Sequence, residues 1–376
     1  MTPKIDRFLA EENPPTPCLV LDLDVVKQNY ERLKAALPLA DIYYAVKANP
    51  APEIIETLVG VGSFFDAAST YEIDLCLELG AEPECISYGS TIKKLSEIKH
   101  AFECGIRLFA FDSLAELEKI AEAAPGSKVY CRLQVSDKGA DWPLSRKFGC
   151  ELDMAKDLLI RSRALKLEPY GVSFHVGSQQ RDAKQWDVAI AKAAMVFTDL
   201  RDAGIKLKMI NLGGGFSAQY RDEIPELSEY AYTISKALTD AFANNIPHVI
   251  VEPGRMIAAE AGLIQTEVIL VSKKSYNDPV RWVYLDVGMF SGMTETLDEA
   301  IKFPIRTAYD GEMEGPVIIA GPTCDGVDVL YEKAGMTLPQ SLRSGDKIQL
   351  LSTGAYTVSY SSIGFNGFPP LKAYYI

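Results

Sequence analysis

From residue 41 to residue 252, short apolar runs alternate with longer segments in which apolar residues recur at helical spacing. The apolar runs have the length and the β-branched and aromatic content of buried strands. They predict eight strands, at residues 42–46, 64–67, 86–88, 108–111, 128–134, 170–175, 209–212 and 248–252. Two of the segments between them begin with the spacing of a helix capping box, Ser69 with Glu72 and Ser113 with Glu116. Eight βα units without a hairpin signal predict an α/β fold, a TIM-like (β/α)₈ barrel, with an open doubly wound sheet as the alternative.

Beyond Arg255 the pattern changes to short strands separated by turn-rich connections. Four strands are predicted there, at residues 266–271, 281–286, 316–320 and 346–352. Near the start of the chain, a polar leader is followed by a predicted strand at 17–24 and a helix at 25–36. Because that strand precedes the barrel, it could join the C-terminal strands. We therefore expect a barrel domain at 23–261 and a β-rich, sandwich- or barrel-like domain built from 1–22 and 262–376.

The composition is that of an ordinary globular protein. The 376 residues are 48% hydrophobic, but no run of 18 apolar residues occurs and no apolar segment follows Met1. We therefore expect neither a membrane span nor a signal peptide. Seven cysteines without a CxxC pair indicate reduced thiols in a cytoplasmic protein, and no metal site. A net charge of −13 argues against nucleic acid and favours cationic small molecules, although it also serves plain solubility.

Lys47 lies where the first barrel strand meets its loop, in the sequence DIYYAVKANP of residues 41–50. A lysine at such a position is usually a solvated charge. At the mouth of a buried strand it can instead be partly desolvated, and it is then a candidate for a Schiff-base amine. The residues that the other strands deliver decide between the two explanations.

The ends of the later strands carry an unusual mixture of groups. His175 ends the sixth strand, residues 213–215 are three glycines after the seventh, and Glu252 ends the eighth with Gly254 and Arg255 beside it. Three backbone N–H groups without Cβ atoms can surround a phosphate, and the loops after the last two barrel strands often hold one. Arg255 offers a fork of donors for the same phosphate. Taken singly, a tight turn, a structural histidine and an ion-paired carboxylate are the ordinary explanations.

Together, these groups match what pyridoxal 5′-phosphate requires. Lys47 would form an aldimine with the aldehyde, His175 would stack on the ring, and Glu252 would keep the pyridine nitrogen protonated. A protonated pyridinium stabilises the carbanion that remains when carbon dioxide departs. This favours decarboxylation over racemisation, which needs a weaker electron sink and a second base.

Eight motifs follow one another over nearly the whole chain. They are YAVKAN (44–49), FDAAS (65–69), FHVGSQ (174–179), NLGGGF (211–216), VEPGR (251–255), GPTCDGVD (321–328), GAYT (354–357) and FNGF (365–368). In this order they resemble the fold-type III, alanine-racemase-like pyridoxal-phosphate decarboxylases, and within them the ornithine/lysine decarboxylases. The resemblance implies that Lys47 is the Schiff-base lysine, that His175 stacks on the ring and that Glu252 meets the pyridine nitrogen. The other cofactor-binding residues that it implies are Ser178, Gly213, Gly214, Gly215, Gly254, Arg255 and Tyr356 around the phosphate, and Asp66 and Arg132 near the aldimine and the ring hydroxyl.

The same resemblance implies that the β-rich domain completes the active site of the neighbouring subunit in a homodimer. Cys324 would protonate the carbanion, and Asp325 would bind the distal ammonium of the substrate. Cys324 is also the one cysteine outside an apolar run, which makes it the best candidate for a reactive thiol; a small turn residue is the alternative. Segment 289–300 departs from the eukaryotic ornithine-decarboxylase pattern. Glu295, Asp298 and Glu299 are all candidates for binding the distal amine.

The predicted function is decarboxylation of L-ornithine to putrescine, through an aldimine at Lys47 and a quinonoid intermediate, with L-lysine as a second substrate that gives cadaverine. Diaminopimelate, arginine and carboxynorspermidine are alternative substrates. Diaminopimelate would require capture of a second carboxylate, whereas Asp325 favours a bare ammonium. A non-enzymatic cofactor-binding or regulatory homologue should have lost Lys47 or Cys324, and both are present.

Overall fold

The computed structural model describes residues 2–144 and 146–376, which form two compact units. The barrel unit comprises Lys27–Ser217 and Ile224–Gly254. The β unit comprises the residues through Val26, Ala218–Glu223 and Arg255–Ile376. For comparison, the sequence places the domain limits at 22/23 and 261/262.

The chain begins with a helix, α1 (Pro3–Glu12), where the sequence predicted only a polar leader. Thr2 caps this helix, because its Oγ1 accepts a hydrogen bond from Ile5 N at 3.3 Å. Ile5 and Leu9 lie about one turn apart and are buried against the strand that follows. Two buried residues in ten give too weak a periodicity to distinguish this helix from a polar segment. The next elements are β1 (Cys18–Leu21) and α2 (Leu23–Ala36).

Eight parallel strands close into a barrel, which confirms the predicted fold and excludes the open sheet. The sheet closes where the last of these strands pairs with the first, with Val249 opposite Ala40. The elements of this part of the chain are β2 (Ala40–Ala45), α3 (Pro52–Gly60), β3 (Phe64–Ala67), α4 (Thr70–Glu78), β4 (Ile86–Tyr88), α5 (Leu95–Glu103), β5 (Leu108–Phe111), α6 (Leu114–Ala123), β6 (Lys128–Arg132), β7 (Ala140–Trp142), α7 (Leu152–Ala164), β8 (Glu168–Ser173), β9 (Ser178–Gln180), α8 (Lys184–Asp202), β10 (Met209–Asn211), α9 (Leu227–Phe242) and β11 (His248–Val251). The barrel order is β2-β3-β4-β5-β6-β8-β10-β11.

The predicted strand limits match β3, β4 and β5. They differ by one or two residues at one or both ends of the other barrel strands. The unpredicted strands β7 and β9 form a separate antiparallel pair in the loops after β6 and β8. One buried cluster joins residues of five barrel strands: Tyr43, Ala110, Tyr130, Met209 and Ile250. Because side chains fill the barrel in this way, its chemistry is confined to the strand ends.

Both predicted capping boxes form only in part. Ser69 Oγ accepts from Glu72 N at 3.3 Å, but Glu72 Oε2 accepts from Ala68 N at 2.6 Å and not from the capping residue. Ser113 Oγ accepts from Glu116 N at 3.4 Å, while the Glu116 carboxylate pairs with two lysines. The spacing therefore predicted the helix starts correctly and the partners of the two glutamates wrongly.

The β unit is built on one nine-stranded sheet. Its elements are α10 (Arg255–Ala258), β12 (Gly262–Ser272), β13 (Arg281–Leu285), β14 (Ile305–Arg306), β15 (Glu314–Ala320), β16 (Val329–Tyr331), β17 (Thr337–Pro339), β18 (Lys347–Leu351) and β19 (Lys372–Tyr375). The main path is β14-β18-β12-β13-β15-β16, with β17 on β15. β1 pairs antiparallel to β12 and parallel to β19, which confirms that the N-terminal strand completes the C-terminal sheet. The strands β14, β16, β17 and β19 were not predicted, because two to four residues carry no readable alternation.

In the part of the chain that the structure describes, no helix combines the length and the apolar character needed to cross a membrane.

Candidate active site

Lys47 and Asp66 form an ion pair at the carboxyl end of the barrel. Strand β2 ends at Ala45, and a single 3₁₀ turn, Val46–Ala48, carries Lys47 past the predicted end of the strand. Lys47 Nζ donates to Asp66 Oδ2 at 3.0 Å. The Lys47 side chain is 45% exposed and that of Asp66 only 4%. The amine is therefore accessible, while its carboxylate partner is held rigidly in β3.

Packing on two sides fixes the turn that carries Lys47. Asn49 is buried, its Oδ1 accepts from Ala51 N at 3.2 Å, and its carbonyl accepts from Tyr44 OH at 3.0 Å. On the other side, a Cβ at Gly254 would lie 2.8 Å from Ala48 Cβ. Only glycine fits there without a shift, which explains the role of the EPG sequence after β11.

The second carboxylate oxygen of Asp66 is buried and has no hydrogen-bond partner among the described residues. A Cβ at position 89 would overlap this Oδ1 atom, so Gly89 leaves room for it. A buried acceptor without a donor costs on the order of 1–3 kcal/mol. A bound group that brings a donor or a positive charge to Asp66 would remove this cost.

Glu252 follows β11, and its carboxylate accepts a hydrogen bond from Asn211, the last residue of β10. Asn211 Oδ1 in turn accepts from Gly213 N at 2.9 Å. Burial and the negative charge of Asp66 raise the pKa of Glu252 to about 7, while the charge of Lys47 and the Asn211 hydrogen bond oppose the rise. Near neutral pH this side chain can therefore hold or release a proton.

His175 lies two residues past β8 and is kept neutral. Its Nδ1 accepts from Gly177 N at 3.0 Å, so the proton of the neutral ring is on Nε2. Burial lowers the pKa of His175 well below its usual value, and the charges of Arg132 and Lys47 lower it further. A neutral flat ring is suited to stacking on another aromatic ring and is a poor acid.

The three glycines after β10 are required by close backbone packing. Gly213 has φ +65° and Gly215 has φ +106°, a region that favours glycine. A Cβ at Gly214 would lie 2.6 Å from the Glu252 carbonyl oxygen and 3.1 Å from His175 Nε2. The turn therefore packs its backbone closely against Glu252 and His175, and this tight turn by itself requires the glycines.

Arg132 and Ser178 lie at the ends of two further strands of the barrel unit. Arg132 ends β6, and its guanidinium lies 4.7 Å from the centre of the Phe148 ring. Burial lowers the pKa of Arg132, and its charge acts on both His175 and Glu252. Ser178 begins β9. The barrel unit thus brings the predicted amine, acids, arginine and ring within electrostatic range of one another.

Arg255 forms a separate cluster inside the β unit. Its Nη1 donates to Glu295 Oε2 at 2.6 Å and to Tyr220 OH at 2.9 Å, and its Nη2 donates to Glu295 Oε1 at 2.5 Å. The guanidinium lies 4.8 Å from the centre of the Tyr356 ring. Both oxygens of Glu295, a predicted ligand for the distal amine, are therefore bonded to an arginine.

The other two candidates for the distal amine differ in exposure. Glu299 Oε1 accepts from the backbone nitrogens of Glu332 and Lys333, at 2.6 and 2.5 Å. Asp298 has a left-handed backbone with φ +52° and is exposed. Among these acids, Asp298 is the one whose side chain faces solvent.

Cys324 and Asp325 lie in an exposed turn of the β unit. Cys324 N donates to Asn366 Oδ1 at 3.0 Å, which links the GPTCDGVD and FNGF motifs. Asp325 Oδ1 accepts from Val327 N at 3.0 Å. The thiol and the carboxylate thus belong to consecutive residues of an exposed turn.

Sequence reasoning missed two residues that shape these sites, Asn211 and Asp328. Asp328 is buried and accepts from Thr323 N at 3.0 Å and from Met289 N at 2.7 Å, so it holds the Cys324 turn. Asn211 holds Glu252 and the glycine turn together. Both residues could have been identified from the sequence. Each is a polar residue of one of the eight motifs, and Asn211 ends strand β10 while Asp328 directly precedes β16.

Three features fit a pyridoxal phosphate site: the amine at Lys47, the acid of near-neutral pKa at Glu252, and the oxygen of Asp66 to which no described residue donates. The chain belongs to the pyridoxal-dependent decarboxylases: the family model described as "Pyridoxal-dependent decarboxylase, pyridoxal binding domain" matches residues 23–259. The predicted family and the predicted cofactor, pyridoxal phosphate, are thereby confirmed.

Several of the similar proteins are named as decarboxylases of basic amino acids. The chain is 34% identical to the lysine/ornithine decarboxylase of Selenomonas ruminantium over 355 residues, which cover 94% of this chain and 88% of that protein. It is 33% identical to antizyme inhibitor 2 of Xenopus laevis over 370 residues, covering 95% and 80%. The crystal structure of the arginine decarboxylase of Paramecium bursaria Chlorella virus superposes with a TM-score of 0.90 at 28% identity and covers both chains fully. The protein is thus a member of the pyridoxal-phosphate-dependent basic amino acid decarboxylase family.

Proposed function

We propose that this protein decarboxylates L-ornithine to putrescine and accepts L-lysine as a second substrate. The observation that carries the proposal is the ion pair of Lys47 with Asp66 at the carboxyl end of the barrel, 3.0 Å long. The relative from Selenomonas ruminantium is named for both substrates. The exposed Asp325 beside Cys324 suits a substrate that ends in a single ammonium group.

The residues of the barrel unit have distinct roles toward the cofactor in this proposal. Pyridoxal phosphate, when bound, supplies an electron sink for the bond that releases carbon dioxide. Lys47 would hold its aldehyde carbon, and Asp66 would keep positive charge on the lysine nitrogen. Glu252, oriented by Asn211, would hold a proton at the pyridine nitrogen. The neutral His175 ring would cover one face of the pyridine and exclude water.

The phosphate group would be bound by the backbone N–H groups of Gly214 and Gly215 and by Ser178. Gly213, the third predicted glycine ligand, already donates its N–H to Asn211 Oδ1. This assignment is supported by the position of Gly214 beside Glu252 and His175, the two residues proposed to contact the pyridine ring. Arg255 and Tyr356 remain predicted phosphate ligands. Arg132 remains the predicted neighbour of the ring hydroxyl.

Cys324 would deliver a proton to the carbon that has lost its carboxylate, and Asp325 would bind the distal ammonium of the substrate. Both side chains are in an exposed turn, which is what a group that serves another subunit requires. We therefore retain the prediction of a homodimer with shared active sites. Asp298, exposed in the 289–300 segment, is the further acid best suited to meet the ammonium.

A binding protein without catalysis is the second candidate, because antizyme inhibitor 2 of Xenopus laevis is 33% identical to this chain. Retention of both Lys47 and Cys324 favours the enzyme. Arginine, diaminopimelate and carboxynorspermidine stay alternative substrates.

A substrate panel tests the proposal. Purified protein saturated with pyridoxal phosphate is supplied with ornithine, lysine, arginine or meso-diaminopimelate, and carbon dioxide and amine are quantified. We expect kcat/KM to be highest for ornithine, with putrescine as product, and lower but measurable for lysine. Lys47→Ala, assayed in parallel, gives the background. A higher kcat/KM for arginine or diaminopimelate would overturn the substrate assignment, and bound cofactor without turnover of any substrate would favour the binding protein.

A further inference from the structure

We propose that Asp74, His100 and Cys104 bind a divalent metal ion of borderline softness, of the zinc type, between helices α4 and α5. The three side chains offer a carboxylate oxygen, an imidazole nitrogen and a thiol sulfur, and these ligand atoms all lie within 4.8 Å of one another. The cluster belongs to the outer helices of the barrel unit and uses no residue of the proposed decarboxylation site. The cysteine spacing led us to expect no metal site, because these ligands form no CxxC pair and Asp74 precedes His100 by 26 residues in the sequence.

The helices bring these ligands together by ordinary packing. His100 is in the last turn of α5, and Cys104 is the residue that caps this helix. Cys104 N donates to His100 O at 2.9 Å, so the helical spacing continues and the two side chains share one face. Asp74 comes from the middle of α4, the neighbouring helix.

Two of the distances between ligand atoms can be compared with those of a tetrahedral zinc site. With bonds of about 2.0–2.1 Å to nitrogen and oxygen and about 2.3 Å to sulfur, neighbouring ligand atoms lie roughly 3.3–3.6 Å apart. His100 Nε2 is 3.6 Å from Cys104 Sγ, which already matches. The same nitrogen is 2.7 Å from Asp74 Oδ1, so this pair must open by about half an ångström to admit the ion. The carboxylate oxygen and the thiol sulfur lie within 4.8 Å of each other.

The chemical types of the three ligands determine which class of metal ion can bind. Magnesium and calcium prefer oxygen ligands alone, whereas an imidazole and a thiolate together suit zinc and cobalt. The Asp74 and His100 side chains are 43% and 44% exposed, so water has access to a fourth coordination position. An ion pair between His100 and Asp74 would by itself explain their 2.7 Å contact, but it requires no thiol at the same nitrogen.

Metal binding to the holoenzyme tests this site. The protein is treated with a chelator, dialysed, and titrated with Co²⁺ or Zn²⁺. We expect one ion to bind per chain. The Co²⁺-loaded protein should show the visible d–d bands of tetrahedral Co²⁺. The K-edge X-ray absorption spectrum of the zinc-loaded protein should show one sulfur ligand at about 2.3 Å among nitrogen and oxygen ligands. We also expect stoichiometric zinc to raise the melting temperature, because the ion binds the folded chain preferentially.

Matched variants assign the signals to the cluster. Cys104→Ser should lose the sulfur ligand and the melting-temperature rise, whereas Cys85→Ser, a half-buried thiol outside the cluster, should keep both. Asp74→Asn, which preserves the shape of the side chain, should weaken Co²⁺ binding at least tenfold. If Cys104→Ser misfolds, the Asp74→Asn variant alone tests whether the cluster binds the metal. Zinc bound without sulfur, or signals unchanged in Cys104→Ser and Asp74→Asn, would show that the cluster is an ion pair only. None of these readouts depends on which amino acid is decarboxylated.

Discussion

Arg255 and Glu295 form a bidentate ion pair in the interior of the β unit, and their side chains are only 3% and 5% exposed. Two parallel hydrogen bonds of 2.5 and 2.6 Å join them. Removing such charges from water costs several kcal/mol per ion, and only a fully bonded partner offsets this. Glu295 therefore holds the guanidinium of a predicted phosphate ligand in a fixed orientation.

Breaking this pair should destabilise the protein strongly. Glu295→Gln leaves the Arg255 charge buried without its counter-ion, and we expect a loss of about 3–5 kcal/mol in the free energy of unfolding. The loss is measured from the midpoint of urea denaturation at unchanged slope. Asp298→Asn, an exposed acid in the same segment, is the control and should change stability by less than about 0.5 kcal/mol. Equal midpoints for the two variants would contradict a structural role for the pair.

Lys47 should be the one lysine joined to the cofactor. Borohydride reduction of the holoenzyme, followed by proteolysis and mass spectrometry, should find pyridoxyl phosphate on the peptide that contains Lys47. Lys47→Ala should lose both the label and turnover, because the remaining residues can bind the cofactor but not hold its aldehyde carbon. Lys94→Ala removes a lysine with an 81% exposed side chain and should keep both. Labelling at another lysine would refute the assignment.

The raised pKa of Glu252 should make the stability of the cofactor-free protein depend on pH. Burial raises the pKa from 4.5 to about 7 in the folded state. Between these values the unfolded chain releases the proton while the folded chain keeps it. Stability should therefore fall as pH rises from about 4.5 to about 7, by roughly 1–3 kcal/mol for this group.

Melting temperatures across that pH window check the prediction. Glu252→Gln should have a flatter profile than the unmodified protein, because its side chain does not titrate. Glu229→Gln, which removes an exposed carboxylate of α9, should leave the slope unchanged. If Glu252→Gln and the unmodified protein show parallel profiles, Glu252 does not carry the shifted pKa.

Much of the barrel was predictable because its strands are buried on both faces and read as continuous apolar runs. For this reason, strands β3, β4 and β5 begin and end at the predicted residues. Helix α1 could not be predicted, since its buried face consists of Ile5 and Leu9 alone. Short strands such as β14, of two residues, gain their structure from pairing with a neighbour and carry no local signal.

The residues of the site were easier to predict than their partners. Lys47, His175 and Glu252 could be predicted to lie near one another because a barrel delivers the ends of its strands to one face. The pairing of Arg255 with Glu295 joins residues 40 apart in the sequence, and no spacing rule connects them. Sequence position thus predicted which groups meet at the barrel mouth, while hydrogen-bond partners emerged only from the packed structure.

Cys324 should affect a step after carbon dioxide leaves. Replacing it with alanine removes a positioned proton donor, so kcat should fall by about 10²–10⁴ with little change in KM. In deuterated water the amine product should also lose stereochemical purity at the labelled carbon, because solvent then delivers the deuteron from either side. Cys85→Ala, at a half-buried thiol of the barrel unit, should leave rate and stereochemistry unchanged. The same kcat and the same stereochemistry in Cys324→Ala would exclude this thiol as the donor.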